Sequence, residues 1–180
     1  TIKKYTTGKL VLLLFFIIIT SNVALTYSNH IFSNITGILP GVLDAQLFYS
    51  LDVATQFFTT ISPAGVRYYL HTIATIDAIY PLIYTTALAM LIAYILHKKH
   101  IKNSKLDYII LLPLIPMIFD YTENILTIIL LCALPTMYPN VVYVLTVISS
   151  MKWSAVIIVL LFVLMLLTIK KRNDASSTQR

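Results

Sequence analysis

Asp77, Tyr80, Asp120, Glu123, Asn124 and Lys152 are polar residues inside stretches that are otherwise soluble in lipid. The densest group is Phe119-Asp120-Tyr121-Thr122-Glu123-Asn124. Apolar residues run up to it from Tyr108 to Ile118 and away from it, with Thr127 the one polar break, from Ile125 to Leu134. An ionisable group at bilayer depth costs about 2.5–3.5 kcal/mol on insertion scales, so it faces a partner, a cavity or a ligand rather than lipid. Asp77, Asp120 and Glu123 oppose a single lysine, Lys152, or two bases if Arg67 reaches down. A carboxyl in excess of its partners can exchange a proton, serve as acid or base, or bind a cation. The plainer alternative is a buried network that only orients the helices, since such hydrogen bonds average about 0.6 kcal/mol each and act as modest glue.

The elements that must position these groups follow from composition. The 180 residues are 58% hydrophobic and 11% charged, with a mean hydropathy of +0.85. A soluble domain carries roughly 25% charged residues. Four segments have few or no charges: Leu10–Tyr27, Tyr68–Leu96, Leu106–Leu134 and Val141–Ile169. A span needs about 20 mostly apolar residues, and no alternation of the kind a closed barrel needs is present. The expected fold is an all-α integral membrane protein, a bundle of four transmembrane helices forming one membrane domain over residues 1–180.

Eleven of the thirteen basic residues cluster before the first span (Lys3, Lys4, Lys9), between the second and third (Lys98, Lys99, Lys102, Lys105), or in the tail over residues 170–180 (Lys170, Lys171, Arg172, Arg180). The positive-inside rule then places both termini and the middle loop in the cytoplasm. The net charge of +6 is accounted for by topology and anionic lipid, and no nucleic-acid partner is implied. The first segment has the basic start of a signal peptide but no small-x-small cleavage site after Thr20, so it is expected to remain as an uncleaved helix. Cys132 is the only cysteine, which argues against claudin-like and tetraspanin-like folds with disulfide-tied outer loops. Asn34-Ile35-Thr36 forms a glycosylation sequon on the outer side.

The outer connection, Ser28–Arg67, carries its own pattern. Leu43, Leu47, Leu51, Ala54, Phe58 and Ile61 recur at helical spacing, which predicts one amphipathic helix over 43–61, between Gly41 and Pro63, packed as a lid on the span ends. Arg67, Tyr68 and Tyr69 are expected to form an interfacial belt.

Depth and phase then bring the polar residues together. Asp77 lies about 15 Å below Arg67 along a helix, Glu123 lies one turn nearer the outside than Asp120, and Lys152 lies eleven residues into the fourth span. Asp120, Glu123, Asn124 and Thr127 share one face, Asp77, Tyr80 and Tyr84 another, and Ser149 and Lys152 a third. Pro81, and Pro113 with Pro116, are expected to interrupt the second and third spans and open space near the cluster. His71 with Asp77 and Glu123 is the one combination that could hold a metal. Without Glu-x-x-His pairs, no metal and no cofactor is assigned.

The order Gly65-Val66-Arg67-x-Tyr69-Leu70, Asp77-Ala78-Ile79-Tyr80-Pro81, Leu112-Pro113, Asp120-Tyr121-x-Glu123-Asn124, Pro139 and Lys152 resembles a group of small bacterial four-span membrane proteins of uncharacterised function. The resemblance covers most of the chain and implies a shared topology, a common polar centre and a bacterial inner membrane. In plan alone, the chain is similar to the emopamil-binding/sigma-2 receptor group, whose members bind or isomerise sterol-like molecules. Three roles follow. The first is binding of a lipid-like or cationic amphipathic ligand by Asp77, Tyr80, Asp120, Glu123, Asn124 and Lys152, or accessory service to a membrane partner or a second copy. The second is acid/base catalysis by Asp120 and Glu123 on a lipid or isoprenoid, and the third is proton- or cation-coupled transport.

Overall fold

A computed structural model describes residues 7–99 and 108–168. Lys3, Lys4, His100, Lys102, Lys105, Lys170, Lys171, Arg172 and Arg180 lie outside the described residues. Four helices are long and apolar enough to cross a membrane, and no strand occurs among the described residues. In chain order the helices are α1 (Gly8–Thr36), a short α2 (Leu51–Thr60), α3 (Pro63–Lys98), α4 (Leu114–Ala133) and α5 (Pro139–Thr168). Single 3-10 turns occur at Leu43–Ala45 and Tyr108–Leu111.

Local chemistry sets the helix ends. Thr7 caps α1, whose last turn closes on Gly37 in the left-handed conformation (φ 71°), with its N–H on Ser33 O. Ser50 caps α2 through the Val53 N–H. Ser62 caps α3 through the Gly65 N–H, with Pro63 at the first helical position.

Several expected boundaries shift. The first span continues nine residues past Tyr27 because no breaker intervenes before Gly37 and because Ser28 and Phe32 find burial on α3. The outer helix expected over 43–61 is a 3-10 turn, an extended stretch and α2, with Leu47 and Leu51 exposed rather than on the buried face. Pro63 begins α3 rather than closing the preceding helix. Pro113 and Pro116 sit at the start of α4, where a missing N–H costs nothing, so they begin the third helix rather than interrupt it. Tyr68 and Tyr69 turn inward rather than forming a belt: Tyr68 meets Ser28 Oγ at 3.1 Å and Tyr69 is buried.

The helices pack as α1 on α3, α3 on α4 and α4 on α5, with a smaller contact closing α3 on α5, so α1 is peripheral and the most exposed span. Lys99 Nζ ties the end of α3 to the carbonyls of Leu166 (2.7 Å) and Leu167 (2.6 Å) at the end of α5. At the opposite end, residues 37–62 form a lid. Asn29 of α1 clamps its start, donating to Pro40 O (3.0 Å) and accepting from the Val42 N–H (2.9 Å). Between them Gly41 has φ +116°, and any Cβ there would run into the Asn29 amide. Under the lid, Phe32, Phe57, Phe58, Tyr69, Leu131 and Leu145 belong to one apolar core, while Ile92, Leu96, Ile110, Val163 and Leu166 belong to a second at the other end. A polar layer separates the two.

Candidate functional site

The layer is built from α3, α4, α5 and the lid. Three residues apart on α4, Asp120 and Glu123 present both carboxylates to α5. Lys152 Nζ lies 2.5 Å from Glu123 Oε2 and 3.6 Å from Asp120 Oδ1, and it donates to Asp44 O at 3.3 Å. The shortest of these is a charge contact rather than an aligned hydrogen bond. The other two carboxylate oxygens are also engaged. Tyr84 OH donates to Asp120 Oδ2 (3.1 Å), and Tyr49 OH donates to Glu123 Oε1 (3.4 Å). Glu123 is 1% exposed, so this set is a buried ion-pair network. Burial, then the nearby Glu123 carboxylate, push the Tyr49 hydroxyl above its ordinary pKa, which keeps it a donor. Ser149 lies beside Tyr49 and Glu123 without an aligned hydrogen bond. The Trp153 ring stands 5.1 Å from the Lys152 ammonium.

The remaining half of the α4 motif serves α3. Proline at 81 has no N–H, so the carbonyl of Asp77, four residues earlier, has no partner within its own helix. Asn124 Nδ2 points to that oxygen at 3.5 Å, and Tyr121 OH donates to the next carbonyl, Ala78 O, at 2.9 Å. Asn124 therefore sits in the layer to satisfy backbone rather than to line a pocket. Asp120 and Glu123 answer the lysine, while Asn124 answers the proline and Tyr121 adds a side-chain donor to Ala78 O.

Asp77 stands apart. It is 7% exposed, and among the described residues no hydrogen bond or ion pair reaches its carboxylate. Its electrostatic neighbours are Asp44, Asp120, Lys152 and Glu123. Tyr80 turns away from the acids, accepting from Asn22 of α1 at 3.0 Å while its ring meets that of Tyr84. Arg67 is exposed and does not join the layer. Among the described residues no group of three His, Cys, Asp or Glu is placed to hold a metal, and His71 is exposed, away from Asp77 and Glu123.

Six participants were not among the expected ligand-binding residues: Asp44, Tyr49, Tyr69, Tyr84, Tyr121 and Trp153. Tyr69 OH donates to Asp44 Oδ1 at 2.8 Å, so the lid reaches the layer through both the side chain and the carbonyl of Asp44. No periodicity in residues 43–50 marks Asp44 or Tyr49 as inward-facing. Their placement is a long-range consequence of the lid. Outside the layer, a groove of about 470 Å³ runs between α4 and α5, lined by Ile115, Phe119, Met151 and Ile158 with Ser150 and Ser154. None of the charged residues of the layer lines it.

With this geometry, the class defined is a helical protein with four membrane-spanning candidates and a buried acidic layer. No protein-family model, curated protein or solved structure matches the chain.

Proposed function

We propose that the chain is an integral membrane protein that binds a cationic amphipathic or lipid-like molecule at the polar layer, with Asp77 taking the cationic group. The carrying observation is that Asp77 is buried and unpaired beside a lysine already occupied by Glu123 and Asp120. Four acids, Asp44, Asp77, Asp120 and Glu123, lie within electrostatic reach of one ammonium that pairs with only two of them, and a cationic headgroup would relieve that imbalance. Catalysis by Asp120 and Glu123 has less support, because all four of their oxygens are engaged by Lys152, Tyr84 and Tyr49. The accessory role has a separate observation in its favour. The α4–α5 groove is apolar and floored by small hydroxyl residues whose Oγ atoms bond their own helix, a surface suited to a neighbouring helix.

The test uses the chain's only tryptophan, which adjoins Lys152. Protein in lipid nanodiscs is titrated with a long-chain primary amine and with the alcohol of equal chain length, following Trp153 emission. A saturable response to the amine alone, lost in Asp77→Asn, is expected. Equal responses to both probes, or an unchanged amine response in Asp77→Asn, would exclude Asp77 as the cation site.

A further inference from the structure

A second cavity, of about 360 Å³, lies at the lid end between the last turn of α1 and α2, away from the polar layer. Its walls carry Gln46 and Gln56, with Thr36 and Thr60 beside them and Leu43 and Phe57 as apolar surface. Among the described residues neither glutamine side chain makes a hydrogen bond, so each amide offers two N–H donors and a carbonyl to whatever enters. Thr60 Oγ1 donates to Gln56 O at 2.8 Å, which leaves its oxygen able to accept, whereas Thr36 Oγ1 donates to Phe32 O at 2.9 Å and already accepts from the Ile38 N–H at 3.2 Å. No Lys, Arg, Asp or Glu lines the cavity, so nothing there would neutralise a charged ligand. The volume falls at the small end of ligand sites, about 300–1,000 Å³.

We infer that this cavity binds an uncharged, hydroxyl-rich group, a glycosyl unit of one or two rings. A sugar is both donor and acceptor around its rim, which matches amides that are both, and it has apolar C–H faces to lay on Phe57 and Leu43. At the end of the spans the cavity lies where lipid headgroups would lie, and two sources could present the sugar there, a glycolipid or free sugar in water. The chemistry is the same in both cases.

The experiment separates the two sources. Full-length protein is placed in phosphatidylglycerol nanodiscs, and saturation-transfer NMR is recorded with free maltose. In parallel, the melting temperature is compared between discs with and without diglucosyl-diacylglycerol. The same measurements are made on Gln46→Leu/Gln56→Leu and on Gln56→Leu alone, whose position is exposed and therefore tolerant of change. Maltose transfer reduced at least fivefold in the double variant supports a site open to free sugar. A melting-point rise specific to the glycolipid and absent in either variant supports headgroup capture. Absence of both signals in the wild-type protein, or signals that the variants leave unchanged, overturns the proposal.

Discussion

Lys152 and Asp77 occupy the same layer but are held there by different forces, and the difference can be measured. Lys152 is the hub of a buried ion-pair network, and removing one member of a buried ion pair leaves an uncompensated charge at a cost of about 3–5 kcal/mol. Lys152→Met is therefore expected to lower stability by that amount in a detergent unfolding assay. Adding Glu123→Gln and Asp120→Asn to the same chain should recover most of the loss, because the stranded charges go with it. A triple variant no more stable than Lys152→Met would show that the lysine acts through packing alone. Asp77 has no partner to lose, so Asp77→Asn, nearly identical in shape, removes no hydrogen bond or ion pair and should leave stability unchanged or raised. A large destabilisation there would mean that its carboxyl is structural and would undercut its assignment as the ligand-binding acid.

At the scale of elements, the pairing of α3 with α4 turns on one proline. If Asn124 is present to satisfy the carbonyl that Pro81 leaves open, its value must depend on that proline. Asn124→Leu should cost about 1 kcal/mol with Pro81 present and little in a Pro81→Ala background, where the restored N–H serves Asp77 O within the helix. A double-mutant cycle reads the difference as a coupling of about 0.5–1 kcal/mol. Additive effects would detach Asn124 from the proline. The relation is legible in the sequence only after the fact: Asp-x-x-x-Pro announces a free carbonyl, but not which helix supplies the donor. The four long helices and the shared depth of Asp120, Glu123 and Lys152 could be read directly, because a run of about 20 apolar residues has one physical solution in lipid and 3.6-residue phase fixes a face. The lid could not. Its stripe from Leu43 to Ile61 passes through Leu47 and Leu51, which are exposed because the chain between the 3-10 turn and Ser50 is extended and breaks the phase. Asp44 was hidden for the same reason, since its partners Tyr69 and Lys152 are 25 and 108 positions away.

For the whole molecule, two apolar cores separated by a charged layer make insertion and orientation a single problem. The start of α1 and the end of α3 lie at one end, where a Cβ on Gly8 would touch Tyr94, and Lys99 reaches the end of α5 there as well. The lid occupies the other end with Arg67 as an exposed cation, while Lys152, the remaining basic residue, is consumed by the layer. Among the described residues Lys9, Lys98 and Lys99 lie at the first of these ends, and in the sequence eight more basic residues belong to the termini and the middle loop, a bias that predicts those segments are cytoplasmic. Labelling decides the matter in a Cys132→Ser background, needed because that thiol is exposed. Leu39→Cys, at a lid residue 82% exposed, should react with an impermeant maleimide in intact bacteria. Lys98→Cys should react only after the membrane is opened. The opposite pattern would place the lid in the cytoplasm, so that a ligand crossing it to reach Asp77 would arrive from inside the cell. Labelling of both positions in intact cells would mean that the four helices do not cross as a single alternating bundle.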